Sequence, residues 1–162
     1  MTTKIKDLKI KIFADGADLN SIQKLNDISY IKGFTTNPTL MRKVGVVDYK
    51  QFAIDALKVV KDKPISFEVF ADDIKEMEIQ AMEIASWGTN ANVKIPITNT
   101  KGDSTVELLK KLSNRGVVCN VTAIFTLDQL NDVLKVLNSE TPAILSIFAG
   151  RIADVGINPI SI

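Results

Sequence analysis

The sequence predicts an α/β fold of the (β/α)8-barrel type, incomplete, with about six parallel βα units. Three observations predict it. Six short apolar runs alternate with helical patterns of about three turns, and the connections are short. Polar residues stand at or just after the C-terminal end of every run: Asp15, Asn37, Glu68, Lys94, Asn120 with Thr122, and Ser146 with Arg151. A doubly wound sheet gathers its site at one switch point, whereas a barrel gathers it from many strand ends around one mouth. No G-x-G-x-x-G follows the first strand, so a dinucleotide site is unsupported.

The elements follow in order. Leu8 to Ala14 reads as the first strand, ending in Asp15-Gly16. Asp18 or Asn20 is suited to cap a helix from about Leu19 to Ile28. Tyr30 to Phe34 is the second strand, and Thr35-Thr36-Asn37-Pro38 is read as a polar loop. Asp48 caps a helix to about Val60 with Phe52, Ala53 and Ala56 at helical spacing. Ile65 to Phe70 is the third strand and carries Glu68 between Phe67 and Val69. Asp72 or Asp73 starts a helix to about Trp87, whose Met77 and Met82 read as core filler. In the fourth strand, Asn92 to Thr98, Val93, Ile95 and Ile97 alternate with other residues until Pro96 breaks the ladder. Thr100 to Asp103 opens a helix closed around Asn114 and Gly116. Val117 to Thr122 is the fifth strand, Thr126 caps the next helix, and Ala143 to Phe148 is the sixth. A loop is expected from Ala153 to Pro159.

Composition narrows the chemistry. The 162 residues suffice for one domain with a substantial core. A net charge of +1 gives no reason to invoke nucleic acid or an anionic membrane. No apolar run is long enough to span a bilayer. Met1 to Asp7 lacks the apolar region of a signal peptide, and the single Cys119 excludes an intrachain disulfide. A cytoplasmic setting is the expectation. The absence of histidine removes Ser-His and Cys-His catalysis, and with no CxxC pair it makes a zinc site unpromising. No metal or cofactor is expected. Acid–base work falls to carboxylates, lysine, tyrosine or water.

Lys94 is the unusual residue. A lysine inside an apolar strand is costly unless paired or deprotonated. Desolvation frees the amine as a nucleophile, and lysine amines form Schiff bases with carbonyl substrates. Any single lysine among 20 Lys and Arg is more often solvated. Glu68 is comparably hard to explain as a surface residue. Asp15, Asn37 and Asn120, taken singly, suit turns and caps.

Together these segments resemble the transaldolase family of class I, Schiff-base aldolases, over essentially the whole chain. The most specific is Gly33-Phe-Thr-Thr-Asn-Pro-Thr39. Val93-Lys-Ile-Pro-Ile97 is similar to the family's lysine strand, and Ser146-Ile-Phe-Ala-Gly-Arg-Ile152 to its sixth-strand segment. Phe13-Ala-Asp15 and Asn120-Val-Thr-Ala-Ile-Phe125 support the same match.

The resemblance implies a Schiff base between Lys94 and the C2 carbonyl of a ketose phosphate. It makes Asp15 the acceptor of the C4 hydroxyl proton, and Glu68 with Thr122 the holders of a proton-shuttling water. Thr36, Asn37, Asn120 and Ser146 would contact substrate, Phe148 would line the pocket, and Arg151 would bind phosphate. Transferases tend to carry Glu and Phe at positions like Glu68 and Phe148, where free aldolases carry Gln and Tyr. Transfer of a dihydroxyacetone unit is therefore favoured. The alternatives are free cleavage of a fructose 6-phosphate-like sugar, or a silent fragment that only binds sugar phosphates. Family barrels have two further βα units, so residues 1–162 read as a single barrel domain truncated at its C-terminus, open to self-association through free strand edges.

Overall fold

Short polar side chains start at least four of the described helices. The Asp18 carboxylate accepts the Ser21 N–H at 2.8 Å and opens α1 (Leu19–Asn26). Asn37 accepts the Leu40 N–H at 2.9 Å and opens α2 (Pro38–Lys43). Asp48 accepts the Gln51 N–H at 2.9 Å and opens α3 (Tyr49–Val59). Thr126 and Gln129 exchange bonds in a capping box at the start of α6 (Leu127–Val136). Each side chain satisfies an amide that the helix itself leaves without a partner. The remaining helices are α4 (Ile74–Ala85), α5 (Val106–Asn114) and α7 (Ala149–Asp154). The strands are β1 (Ile12–Asp15), β2 (Ile31–Thr35), β3 (Ile65–Glu68), β4 (Ala91–Pro96), β5 (Cys119–Ile124) and β6 (Ala143–Ile147). The structure, a computed structural model, describes residues 4–161 without the side chains of Lys6 and Ser161; Met1 to Thr3 of the signal-peptide reading lie outside it.

The described residues form two compact units, 4–68 with 86–91 and 69–85 with 92–161. In the first, β1 pairs β2 and β2 pairs β3, all parallel. Ile65 of β3 donates to the Asn90 carbonyl, one residue before β4, at 3.0 Å. Phe34, Phe67, Ala53 and Ala56 fill its interior. In the second, β4 pairs β5 and β5 pairs β6, again parallel. Val69, one residue past β3, donates to the Lys94 carbonyl at 3.1 Å. Met77, Ile95, Leu109, Leu112 and Val121 are buried in this unit, so Met77 is core as expected. Strand order follows chain order from β1 to β6. In a doubly wound sheet the fourth strand would start beside the first. The fold is that of an incomplete (β/α)8 barrel, with six βα units in this chain.

Four expectations are corrected. The first strand begins at Ile12, where the ladder to β2 starts with the Ile12–Ile31 pair, and Leu8 and Ile10 before it stay exposed. The supposed loop at Pro38 is the first turn of α2, where proline's fixed φ and missing N–H are tolerated. Thr100 to Asp103 does not open a helix. Asn99 accepts the N–H groups of Lys101 and Asp103 at 3.0 and 2.8 Å, Gly102 turns at φ 88°, and α5 begins only at Val106. The loop expected from Ala153 follows a short helix, α7, that Phe148 begins and that carries Arg151. Among the described residues no helix is long and apolar enough to cross a membrane.

Two predictions test this packing. Gly33 lies opposite Phe13, and a Cβ there would overlap the Phe13 ring. Gly33→Ala should cost about 1–3 kcal/mol by overpacking, read as a lower urea midpoint. An unchanged midpoint would show that the ring has room to move.

The second prediction concerns Asp72. Its carboxylate accepts the Thr100 N–H at 2.7 Å and the Thr100 hydroxyl at 2.8 Å. Those bonds, the backbone one foremost, hold its pKa below the ordinary value, with help from Lys101. Stability from a carboxylate so depressed is present above the unfolded pKa of about 3.9 and is lost as pH falls through the lower folded value. The gap in thermal midpoint between wild type and Asp72→Ala should therefore hold near neutral pH and narrow below about pH 4. A gap that widens on acidification would contradict the assignment.

Candidate active site

In the first unit the polar groups meet where β1 and β2 end. Asp15 and Thr35 are register partners and the last residues of their strands. The Thr35 hydroxyl donates to Asp15 Oδ1 at 2.9 Å, and Asn37 Nδ2 donates to Oδ2 at 3.3 Å. Both carboxylate oxygens are thus held while Asp15 stays exposed. Asn37 has a second task, because its Oδ1 caps α2. Its amide orientation is fixed from both ends. Thr36 is fully buried, and its hydroxyl donates to the Ser66 carbonyl at 3.1 Å. The residue beside the carboxylate is therefore Thr35, which the sequence did not single out. Only strand register shows it.

Glu68 ends β3 and is half-buried. The Tyr49 hydroxyl donates to its carbonyl oxygen at 2.8 Å. Tyr49 packs edge-on against Phe67 and Trp87, with ring centroids 6.3 and 5.3 Å away. Burial, then the negative charge of Glu68, drives the Tyr49 pKa far upward, so the hydroxyl stays a neutral donor. Tyr49 was also missed. In sequence it is one more aromatic residue after a helix cap.

The second unit holds the lysine. Val93, Lys94 and Ile95 are all buried, and Lys94 is 9% exposed. Lys94 is the register partner of Asn120, and Pro96 that of Thr122. Side chains two apart on a strand share a face. Asn120 and Thr122 therefore stand on one side of β5, in line with Lys94. Asn120 is 1% exposed and accepts the Ser146 hydroxyl at 2.8 Å. The Thr122 hydroxyl is buried and has no hydrogen-bond partner among the described residues.

Just past β6, the Phe148 N–H donates to the Ile124 carbonyl at 2.9 Å, and its ring meets Phe125 at 5.6 Å. An open surface depression of about 410 Å³ is lined by Ile147, Phe148, Ala149, Gly150, Arg151 and Asp154. Arg151 is exposed there, 3.4 Å from Asp154. Because β4 and β6 run the same way, Arg151 follows the end toward which Lys94 lies, as the strand order required.

Other residues take ordinary roles. Cys119 is buried, and its thiol pKa is pushed up to about 12 by desolvation, which suits a core residue and not a nucleophile. Lys111 of α5 and Arg115, which caps its C-terminus, both reach Glu78 of α4, at 2.7 and 3.6 Å, an exposed pairing of small energetic weight.

A family profile described as transaldolase/fructose-6-phosphate aldolase matches residues 12–160. A probable transaldolase of Dehalococcoides mccartyi is 38% identical over 147 residues, covering 91% of this chain and 64% of that protein. One from Streptococcus agalactiae is 36% identical over the same shares. A third, from Sulfurihydrogenibium sp., is 34% identical over 90% of this chain and 63% of its own. The chain thus spans just under two thirds of the length of these relatives. Over nearly all of its own length, it belongs to the transaldolase/fructose-6-phosphate aldolase family.

Proposed function

We propose that this chain carries the Schiff-base chemistry of a transaldolase, moving a dihydroxyacetone unit from a ketose phosphate to an aldose phosphate. The observation that carries the proposal is Lys94, an amine in the buried face of β4, level with Asn120 and on the side of β5 that carries Thr122, whose buried hydroxyl has no hydrogen-bond partner among the described residues. The family match and the names of the relatives support the same reading.

The chemistry proposed is as follows. Lys94 Nζ attacks C2 of the ketose phosphate, and loss of water gives the imine. Glu68 and Thr122 hold the water that carries protons in this step. Asp15, with both oxygens oriented by Thr35 and Asn37, takes the C4 hydroxyl proton. The C3–C4 bond then breaks, its electron pair passes into the protonated imine to give an enamine, and an aldose phosphate leaves. Attack of the enamine on a second aldose phosphate runs the steps backward. Asn120 and Ser146, already bonded to each other, hold the three-carbon unit. Asn37 contributes its remaining amide hydrogen, Thr36 acts from behind through β3, Phe148 lines the pocket, and the fork of Arg151 takes the phosphate. No cofactor is required, because the imine itself is the electron sink.

Incubation with dihydroxyacetone and borohydride should fix the adduct mass on Lys94, and Lys94→Met should abolish it. Adduct at another lysine, or equal labelling of the variant, would remove the assignment.

Two further variants separate the carboxylates. Asp15→Asn should still trap imine but lose about 10²–10⁴-fold in carbon–carbon cleavage, the range of a lost proton acceptor. Glu68→Gln should slow trapping itself, by about 10²-fold. Full transfer rates in both variants would show that the acid–base roles are misplaced.

A further inference from the structure

Ala123 has φ 58°, the only non-glycine residue with positive φ among the described residues. That conformation is unfavourable for an L-residue with a Cβ, and it occurs here inside a strand. The register shows why. Val121 faces Leu145 and Ile124 faces Ile147 across β5 and β6. Two residues, Thr122 and Ala123, therefore oppose the single residue Ser146. This is a β-bulge, and Ala123 is its extra residue.

The bulge changes which way the strand points. In a regular strand Ile124 would share the face of Asn120 and Thr122. With one extra residue it shares the face of Val121, and it is 1% exposed there. Its carbonyl then receives the Phe148 N–H at 2.9 Å. On the partner strand the Ser146 hydroxyl reaches Asn120. The Thr122 carbonyl still accepts the Ile97 N–H of the neighbouring segment at 2.9 Å, so β5 is anchored on that side of the bulge. Strand polarity therefore switches directly after Thr122, whose buried hydroxyl has no partner among the described residues. A strained residue beside an unsatisfied hydroxyl is the kind of local cost that persists where a site needs a fixed geometry.

We infer that Ala123 is a positioning residue for the proposed reaction: its left-handed backbone fixes the Thr122 hydroxyl toward the Lys94 side of β5 and brings Ser146 and Phe148 into place behind it. The inference rests on the Schiff-base reading of Lys94 for its catalytic consequence, although the placement of Thr122 can be read without it.

Three substitutions test it. Gly and Asn adopt positive φ readily, whereas a β-branched residue resists it. Ala123→Gly and Ala123→Asn should trap dihydroxyacetone on Lys94 at close to the wild-type rate. Ala123→Val should trap it about 10- to 100-fold more slowly at saturating dihydroxyacetone, the scale of a small misplacement of a reacting group. Its half-saturating concentration should change little, and its amide resonances at Thr122 and Ser146 should shift while the far-UV spectrum stays that of the folded chain. A folded Ala123→Val with wild-type trapping and unmoved resonances would overturn the inference. If Ala123→Val does not fold, the other two decide: loss of rate in either folded variant overturns it, and retention in both upholds it. If the wild-type chain forms no adduct at all, the Schiff-base reading fails. The placement is then judged on the resonances alone, shifted in Ala123→Val and retained in Ala123→Gly if it is correct, unmoved in both if it is not.

Discussion

The burial of a primary amine in the wall of an apolar strand is the constraint that organises this chain. Lys94 lies between Val93 and Ile95, both fully buried, and is itself almost inaccessible. Desolvating an ammonium group is expensive, so such a position persists only where the surroundings supply polar partners or the amine does chemistry. Asn120 on β5 is its register partner, and Ser146 on β6 holds Asn120. Three parallel strands thus set a short row of polar groups into an otherwise apolar layer. Fixed geometry of this kind is what a nucleophile needs to meet a carbonyl without first ordering its neighbours.

The segments that follow the strands are secured to keep that row in place. The Thr105 hydroxyl donates to the Pro96 carbonyl at 2.6 Å, which ties the start of α5 to the end of β4. This use of its side chain explains why Thr105 makes no capping bond to its own helix. Gln80 of α4 accepts the N–H groups of Phe70 and Ala71 at 2.8 and 2.9 Å, and Asp72 grips Thr100. The segments after β3 and β4 are therefore joined by side chains within the second unit. Loops carry function best when a rigid scaffold positions them, and here short hydrogen bonds supply the rigidity. The same device appears in the first unit, where Asn37 caps α2 with one end of its amide and steadies Asp15 with the other.

Much of this was legible in the sequence, for identifiable reasons. The six strands could be read because Val93, Ile95 and their counterparts are apolar runs bounded by turn residues, and Asp18, Asp48 and Thr126 marked helix starts by their chemistry. Lys94 and Glu68 stood out because charge inside an apolar run is anomalous. What stayed hidden depends on register and three-dimensional neighbours. Thr35 and Thr36 look alike in sequence, yet one faces Asp15 and the other is buried against Ser66. Tyr49 is distinguished only by where its hydroxyl ends, at the Glu68 carbonyl. Ala123 carries no signal at all, because alanine is an ordinary strand or helix residue and only its φ marks it. The helix α2 was hidden by its own proline, which reads as a loop signal but serves equally at a first helical turn.

Carbonyl oxygen exchange tests most directly the proposed covalent imine between Lys94 and the ketose carbonyl. Imine formation expels the C2 oxygen as water, and hydrolysis restores it from solvent. Dihydroxyacetone labelled with ¹⁸O at C2 should lose its label faster with the wild-type chain than in buffer, and no faster than in buffer with Lys94→Met. Thr122→Val should give an intermediate rate, because the amine remains while the water's proposed anchor is gone. Label lost no faster than in buffer, with a wild-type chain that does cleave a ketose phosphate, would contradict the account, because the carbonyl oxygen cannot survive an imine.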